Sequence, residues 1–486
     1  MQSKFIIYQM LPRLFGNTNP NCVYDGTFEE NGSGKFSDVS EAVLEDLKKL
    51  SVTHVWYTGI IRHATEGDLT AKGKAGSPYA IKDYYDVNPY MATDASLRMD
   101  EFSSLLERTH DSGLKVVIDF IPNHLSREYD SQVAPFGDEN FYPGKIHDGD
   151  WTDTVKLNYG CRDTWSKMRD ILEFWAAKGV DGFRCDMVEL VTVDFWEWCI
   201  ADLKKRYPHL IFIAEIYQPQ NYQPYICRGG FDYLYDKSGF YDHLRWISTS
   251  EGRGTPASAL TSVWLSLGEV QSNMLNFLEN HDEQRIASPF FAGKAEKGIP
   301  AMIIAATLNT GAVMIYNGQE FGEEAKGEKG FSGDDGKTTI FDYAAIPTVQ
   351  RWLSGELKKG EITLQQFYAK LLNICKNEKA IGKGNFFDLQ YVNFNNPFFN
   401  TIKQYAYLRK KENELILIVS NFDDFDVSLQ INLPVHAFEL LGIENNQERK
   451  YTDLLTNKSG KQLFSSETPF PIKVKKNNGV ILKFSL

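Results

Sequence analysis

The chain has 486 residues and 42% hydrophobic content, enough to bury a large core spread over more than one domain. Its formal charge of −12 at pH 7 argues against nucleic acid or an anionic membrane as the main partner, and no apolar run approaches membrane-spanning length. Aromatic residues reach 13%, with 24 Tyr and 9 Trp, a surplus that suits a site for a neutral sugar held by aromatic faces and hydrogen bonds.

Strand and helix signals alternate from the N-terminus, as a parallel α/β protein requires. Phe5 to Met10 reads as strand one, and Ser40 as the N-cap of an amphipathic helix carrying Ala42, Val43, Leu44, Leu47 and Leu50. Strand two follows at His54 to Tyr57. A helix around Leu97 to His110 stops near Gly113 and feeds strand three, Lys115 to Ile118. From about Leu125 to Gly160 the rhythm breaks into a segment rich in Asp, Gly, Pro and aromatics, expected to be an irregular insertion. Helical periodicity resumes over Thr164 to Gly179 and leads to strand four at Val180 to Cys185. Strands five to eight are expected at Leu210 to Ala214, Phe231 to Asp236, Met274 to Phe277 and Ala312 to Gly318. After a helix ending near Lys379, short alternating runs such as Tyr405 to Phe422 and Gly479 to Leu486 predict antiparallel strands. The expected fold class is α/β: a (β/α)8 TIM barrel with a short domain inserted after strand three and a C-terminal antiparallel β-sandwich. The expected domains are residues 1–124 and 161–384 for the barrel, 125–160 for the insertion and 385–486 for the sandwich.

The six cysteines (Cys22, Cys161, Cys185, Cys199, Cys227, Cys375) show no close metal-ligand pairing, and Cys185 falls inside a predicted barrel strand. They read as mostly buried thiols of a reducing compartment. FIIYQM (Phe5 to Met10) is too short for a secretory signal, so a cytoplasmic location is expected.

Four stretches end a predicted strand in a group able to bind or react: Lys115 to His124, Val180 to Val188, Ile211 to Tyr217 and Met274 to Asp282. They deliver Asn123 and His124, Arg184 and Asp186, Glu215, then His281 and Asp282, at the strand ends where a barrel of this kind presents its catalytic face. Three carboxylates converging there point to glycoside hydrolysis, in which one serves as nucleophile and another as general acid. Asp186 follows Arg184 by two residues and shares its face of the strand, so the guanidinium is expected to keep Asp186 ionised. Glu215 follows the apolar run IFIA, where partial burial would raise its pKa toward an acid's needs. Asp119 reads as a structural partner of Arg184. Any one such residue is more often a cap or an ion-pair partner; the four in order are what carries the inference.

The whole chain resembles the α-amylase family of glycoside hydrolases. The resemblance rests on D-x-x-x-N-H (Asp119 to His124), G-F-R-x-D (Gly182 to Asp186), the strand-five Glu215, E-N-H-D (Glu279 to Asp282) and the weaker Y-x-G-x-E (Tyr316 to Glu320). It implies Asp186 as nucleophile, Glu215 as acid/base and Asp282 as transition-state stabiliser. It also implies that His124, Arg184 and His281 hold hydroxyls of the sugar being cleaved, with Tyr79 stacked under it. The implied substrate is an α-1,4-linked glucan or maltooligosaccharide. A glucanotransferase or α-glucosidase of the same family is the nearest alternative, and a non-catalytic binding or partner subunit is a third. No cofactor is implied as required. Many relatives hold an interdomain calcium, but Glu189 and Leu190 replace a Lys-His pair here, and Lys156 stands in VKLN where an acidic group is common. No metal ligand is assigned, and at most a weakly bound structural calcium is expected. GNTNPN (Gly16 to Asn21) reads as a turn cluster.

Overall fold

The computed structural model of the chain describes residues 4–130, 136–249, 255–326 and 334–486. Eight parallel strands form one barrel: β1 (Ile6–Met10), β2 (His54–Tyr57), β3 (Lys115–Phe120), β4 (Gly182–Cys185), β5 (Ile211–Ala214), β6 (Tyr233–Tyr235), β7 (Met274–Leu275) and β8 (Val313–Tyr316). Their order is β7-β6-β5-β4-β3-β2-β1-β8. The seam between β7 and β8 is one bridge, Asn276 with Val313, supported by Met314 N donating to Asn276 O at 3.0 Å. A Cβ on Gly311 would stand 2.1 Å from Met274 O, so the two chains approach this closely only because residue 311 is glycine. Apart from Lys115 and Tyr233, every residue of the eight strands is buried. Strands covered on both faces run continuously apolar instead of alternating, and these do.

The expected strands are all present, some shorter than the apolar runs suggest. β6 lacks Phe231, Asp232 and Asp236; at its start the Asp232 carboxylate, and not its carbonyl, takes the Phe212 amide at 2.8 Å, and it also holds Lys204 at 2.7 Å. β7 stops before Asn276 and Phe277. Three helices match the sequence pattern: α1 (Glu41–Lys49), α2 (Arg98–Asp111) and α3 (Arg162–Ala177). Ser40 Oγ accepts from Val43 N at 3.4 Å at the head of α1, which buries Val43, Leu44 and Leu47. A further helix, α4 (Ile299–Thr307), is buried on all sides and lies between the barrel and the C-terminal strands.

The segment expected to be irregular carries a two-stranded antiparallel ribbon, His124–Ser126 with Thr154–Lys156. Its residues 131–135 lie outside the described residues. A second ribbon, Ile61–His63 with Ile81–Val87, follows β2. Three-residue strands are too short for alternation to register in sequence, which is why the first ribbon and the Ile61–His63 strand of the second are not legible there.

From Asn385 onward, six antiparallel strands form one sheet that faces a two-stranded sheet of Val427–Ile431 and Phe470–Val474. Alternation does the sorting. Tyr405, Tyr407, Ile416 and Ile418 join the barrel's core, while Ala406, Leu408, Leu415, Leu417 and Val419 fill the sandwich's own. Arg409 crosses the junction, donating to Ala380 O at 3.1 Å and to Gly384 O at 2.9 Å. Of the cysteines, Cys185, Cys199 and Cys375 are buried as expected, but Cys227 is exposed and Cys161 is half-buried. No helix among the described residues is long and apolar enough to cross a membrane.

Candidate active site

Register brings the first two carboxylates together. Cys185 of β4 lies opposite Ala214 of β5, so Asp186 and Glu215 are the next residues on neighbouring strands. The ladder continues through them: Asp186 N donates to Phe120 O at 2.9 Å and Glu215 N to Cys185 O at 3.1 Å. Met187 then takes the left-handed conformation at φ 42°, ending the strand immediately after Asp186, and its amide donates to Glu215 Oε2 at 2.9 Å. For a non-glycine residue that conformation costs on the order of 1 kcal/mol, and such strain gathers at functional sites.

Arg184 binds both groups. Its Nη1 donates to Asp186 Oδ1 at 2.9 Å, its Nη2 lies 2.7 Å from Glu215 Oε1, and Nη1 is also 3.6 Å from Asp119 Oδ1. The register explains the third contact, since Asp119 and Arg184 are paired across β3 and β4. The guanidinium has no exposure at all and is enclosed by the rings of Trp56, Tyr79 and Tyr235 at 5.4, 5.2 and 5.6 Å. Its counter-charge does not settle the protonation of Asp186 as expected. Burial, followed by the Glu215 charge, pushes the Asp186 carboxyl well above the usual range against the pull of Arg184.

A pocket of about 260 Å³ opens over this floor, lined by Tyr79, His124, Asp186, Glu215 and Asp282 among others. Burial would raise the Asp282 pKa, but His281, Arg184 and Lys337 outweigh it and bring the carboxyl down to about 2. His281 Nε2 lies 3.0 Å from Asp282 Oδ2, and its Nδ1 accepts from Gln9 Nε2 at 2.8 Å. Tyr79 stacks on the His281 ring with centroids 5.3 Å apart, and its hydroxyl meets His281 Nε2. Burial drives the His124 pKa down to about 4, leaving a neutral ring against Trp151 at 5.1 Å. Five of the seven residues singled out from sequence therefore reach the pocket wall. Arg184 and His281 lie beneath it, with fully buried side chains.

Other wall residues were not read from the sequence. The Tyr217 hydroxyl donates to Glu215 Oε1 at 2.9 Å. Its place two residues after Glu215 was the available signal, since alternation carries both toward one face. Trp151 and the Lys72–Asp153 ion pair at 3.1 Å come from the insertion and the loop after β2. Their approach depends on chain folding alone, so spacing gives no warning of it. Glu189, where the resemblance implies a Lys, accepts from Tyr217 N at 3.1 Å and Asn221 Nδ2 at 2.8 Å.

The residues of the implied calcium site do not suit a hard cation. Asn123 turns its amide nitrogen to Asp148 Oδ2 at 2.8 Å, Lys156 Nζ sits 2.7 Å from Asp148 Oδ1, and Asn158 Oδ1 accepts from Gly160 N at 2.9 Å. The carboxylate nearest the position is thus already neutralised by an ammonium. In the GNTNPN segment the amides serve the chain itself: Asn17 Oδ1 accepts from Asn19 N, and Asn19 Oδ1 from Asn21 N.

Residues 9–142 and 137–345 match the family model for the alpha amylase catalytic domain. The chain is 23% identical to Alpha-amylase 2 of Dictyoglomus thermophilum over 443 residues, covering 88% of this chain and 71% of that protein. It is also 23% identical to Alpha-amylase 3 of the same organism over 500 residues, covering 92% and 94%. In fold it is similar to a noncanonic maltogenic alpha-amylase from Thermotoga neapolitana, with a TM-score of 0.74 at 23% identity over 99% of each chain.

Proposed function

This chain belongs to the α-amylase family, and from that premise we propose a retaining glycoside hydrolase that cleaves α-1,4-glucosidic bonds in starch-derived polysaccharides or maltooligosaccharides. The observation that carries the reading is the single guanidinium of Arg184 bridging Asp186 and Glu215. One planar fork spanning both carboxyls suits the separation of roughly 5–5.5 Å that a covalent, retaining route needs better than the wider gap of an inverting pair.

In this mechanism Asp186 attacks the anomeric carbon and forms the glycosyl-enzyme, while Glu215 delivers its proton to the departing oxygen. Glu215 then takes a proton from the incoming water, which releases the sugar with retained configuration. Asp282, ionised down to about pH 2, faces the positive charge that develops on the ring. Tyr79 and His124 offer a ring face and a neutral imidazole to the bound sugar. Arg184 and His281 act through their neighbours: Arg184 holds the two carboxyls in place, and His281 fixes Asp282 and Tyr79.

The test is incubation with starch, pullulan, maltotriose, isomaltose and trehalose, with products read by chromatography and anomeric configuration by NMR. Cleavage of starch and maltotriose with the α-anomer released first is the expected result. Activity confined to isomaltose or trehalose would refute the linkage, a β-anomer would refute the mechanism, and longer chains from maltotriose would mark a transferase.

A further inference from the structure

One side of the catalytic pocket is built from three pieces of chain fastened to each other. The loop after β2 supplies Lys72 and Ser77, the insertion supplies Trp151 and Asp153, and the segment after β8 supplies Ile340 and Phe341. Lys72 joins the first two, its Nζ lying 3.1 Å from Asp153 Oδ1 and 3.5 Å from Asp150 O. Two residues earlier, Thr70 N donates to Glu128 Oε1 of the insertion at 2.8 Å. The loop after β2 is joined to the segment after β8 by Ala75 N donating to Phe341 O at 3.0 Å and Lys74 N to Asp342 Oδ1 at 3.4 Å. The fit there is close: a Cβ on Gly73, whose φ is 63°, would stand 2.3 Å from Phe341 O. The Asp153 side chain is 3% exposed and that of Lys72 21%, so parting the pair would strand a buried carboxylate. The wall is held shut.

Its place relative to the acid gives it a consequence. β5, which ends in Glu215, stands four strands from β1 either way round the barrel, and the loops after β8 and β2 flank β1. The wall therefore stands across the barrel mouth from Glu215. An acid that protonates the departing oxygen has the leaving group on its own side, so the sugar being cleaved, and whatever precedes it in the glucan, extends away from Glu215 toward the wall. The pocket's volume of about 260 Å³ lies below the roughly 300–1,000 Å³ common for ligand sites, which leaves room for a short piece of chain. We propose that this protein is exo-acting, releasing glucose or maltose from the non-reducing end of an α-glucan, and that Lys72 and Asp153 determine that specificity. The Lys72 ammonium donates to, and the Asp153 carboxylate accepts from, the hydroxyls of a terminal sugar. A chain that continued past this point would present a glycosidic linkage in place of a free hydroxyl and would meet the joined loops. The inference deepens the functional reading above and rests on it.

The experiment compares three substrates: an aryl maltoheptaoside with a free non-reducing end, the same compound with that end blocked by a 4,6-O-ethylidene group, and β-cyclodextrin, which has no end. The wild-type protein should cleave the first at least a hundredfold faster than the other two, and chromatography should show glucose or maltose from the earliest times. Comparable rates on all three, or an early ladder of intermediate lengths, would overturn the proposal. The double variant Lys72→Ala with Asp153→Ala removes both charges together, so neither is left stranded. It should raise the ratio of blocked to free rates at least tenfold, with circular dichroism confirming the fold. A pair that serves only to hold the loops would lower both rates and leave that ratio unmoved, which would also overturn the proposal. Trp151→Ala, read by the same ratio, replaces the double variant if that protein is poorly folded. Failure of the functional reading shows separately, as a wild-type protein inactive on every open α-glucan, and the present inference would fall with it.

Discussion

Replacing Arg184 with methionine tests the electrostatic core of the site. The substitution keeps most of the apolar volume inside the Trp56, Tyr79 and Tyr235 enclosure but removes the cation that lies within 3.6 Å of Asp186, Glu215 and Asp119. Breaking a buried pair from one side costs roughly 3–5 kcal/mol, because the remaining charges stay buried and uncompensated. In a chain of 486 residues that is a fall in melting temperature of roughly 3–5 °C. The loss should depend on pH with a definite sign. Asp119 and Asp186 already titrate above their ordinary values because of burial, and losing Arg184 raises them further. A carboxyl whose folded pKa exceeds its unfolded value contributes stability below about pH 4 and loses it as pH rises through the folded value. The deficit relative to wild type should therefore be small near pH 4 and grow as pH rises toward 7. Urea melts of both proteins across that range measure it. A deficit of the same size at both ends would refute the argument, as it would mean that lost packing rather than stranded charge sets the cost.

Asp186→Asn should keep the wild-type melting temperature within a few degrees and lower turnover by orders of magnitude, since the covalent step is lost; wild-type-like rates would remove Asp186 from the nucleophile's role. Glu215→Gln should slow hydrolysis of maltooligosaccharides far more than that of activated aryl glucosides, whose leaving groups need no proton, and equal losses would count against an acid. His124 is held neutral down to about pH 4 by burial, so it contributes stability above its unfolded value near 6.5 that is lost as pH falls through 4. His124→Gln should flatten the acid side of the stability curve, and an unchanged slope would rule that out. Lys156→Ala should cost up to about 1 kcal/mol by freeing Asp148, with activity in the parent protein surviving dialysis against EDTA; activity lost on dialysis and restored only by calcium would contradict the fit of residues found here.

The barrel was legible because its strands are buried on both faces. Runs such as KVVI and IFIA carry no alternation to confuse with a surface strand, and each stops at a polar residue that the fold then uses. That is why Asp186, Glu215 and Asp282 could be expected at one face of the barrel, and the three line one pocket there. The ribbon of His124–Ser126 with Thr154–Lys156 stayed hidden because three residues cannot display a period, and Trp151 because its neighbour His124 is 27 residues earlier in the chain. Charge balance at the site was the hardest part to read. Arg184 two residues before Asp186 looks like a private counter-ion in sequence, but the register of β4 against β3 and β5 gives it three carboxylates to serve.

Lys156 shows the same limit from the other direction. On sequence it is a positive charge set where relatives place an acid, which reads as repulsion of a metal. In the fold its ammonium has a partner, Asp148, whose second oxygen accepts from Asn123 beside the end of β3. Lys156 is also the backbone partner of His124, and Trp151 of the same insertion lies against the His124 ring. The insertion is thus held beside the pocket by the Asn123 amide on Asp148, by the ribbon, and by the Lys72–Asp153 ion pair to the loop after β2. A tether of that kind responds to salt through the Asp148–Lys156 pair. Whether a substitution reads as loss or as replacement depends on what it meets across the fold, and a single sequence carries that information only where short-range spacing fixes the neighbour.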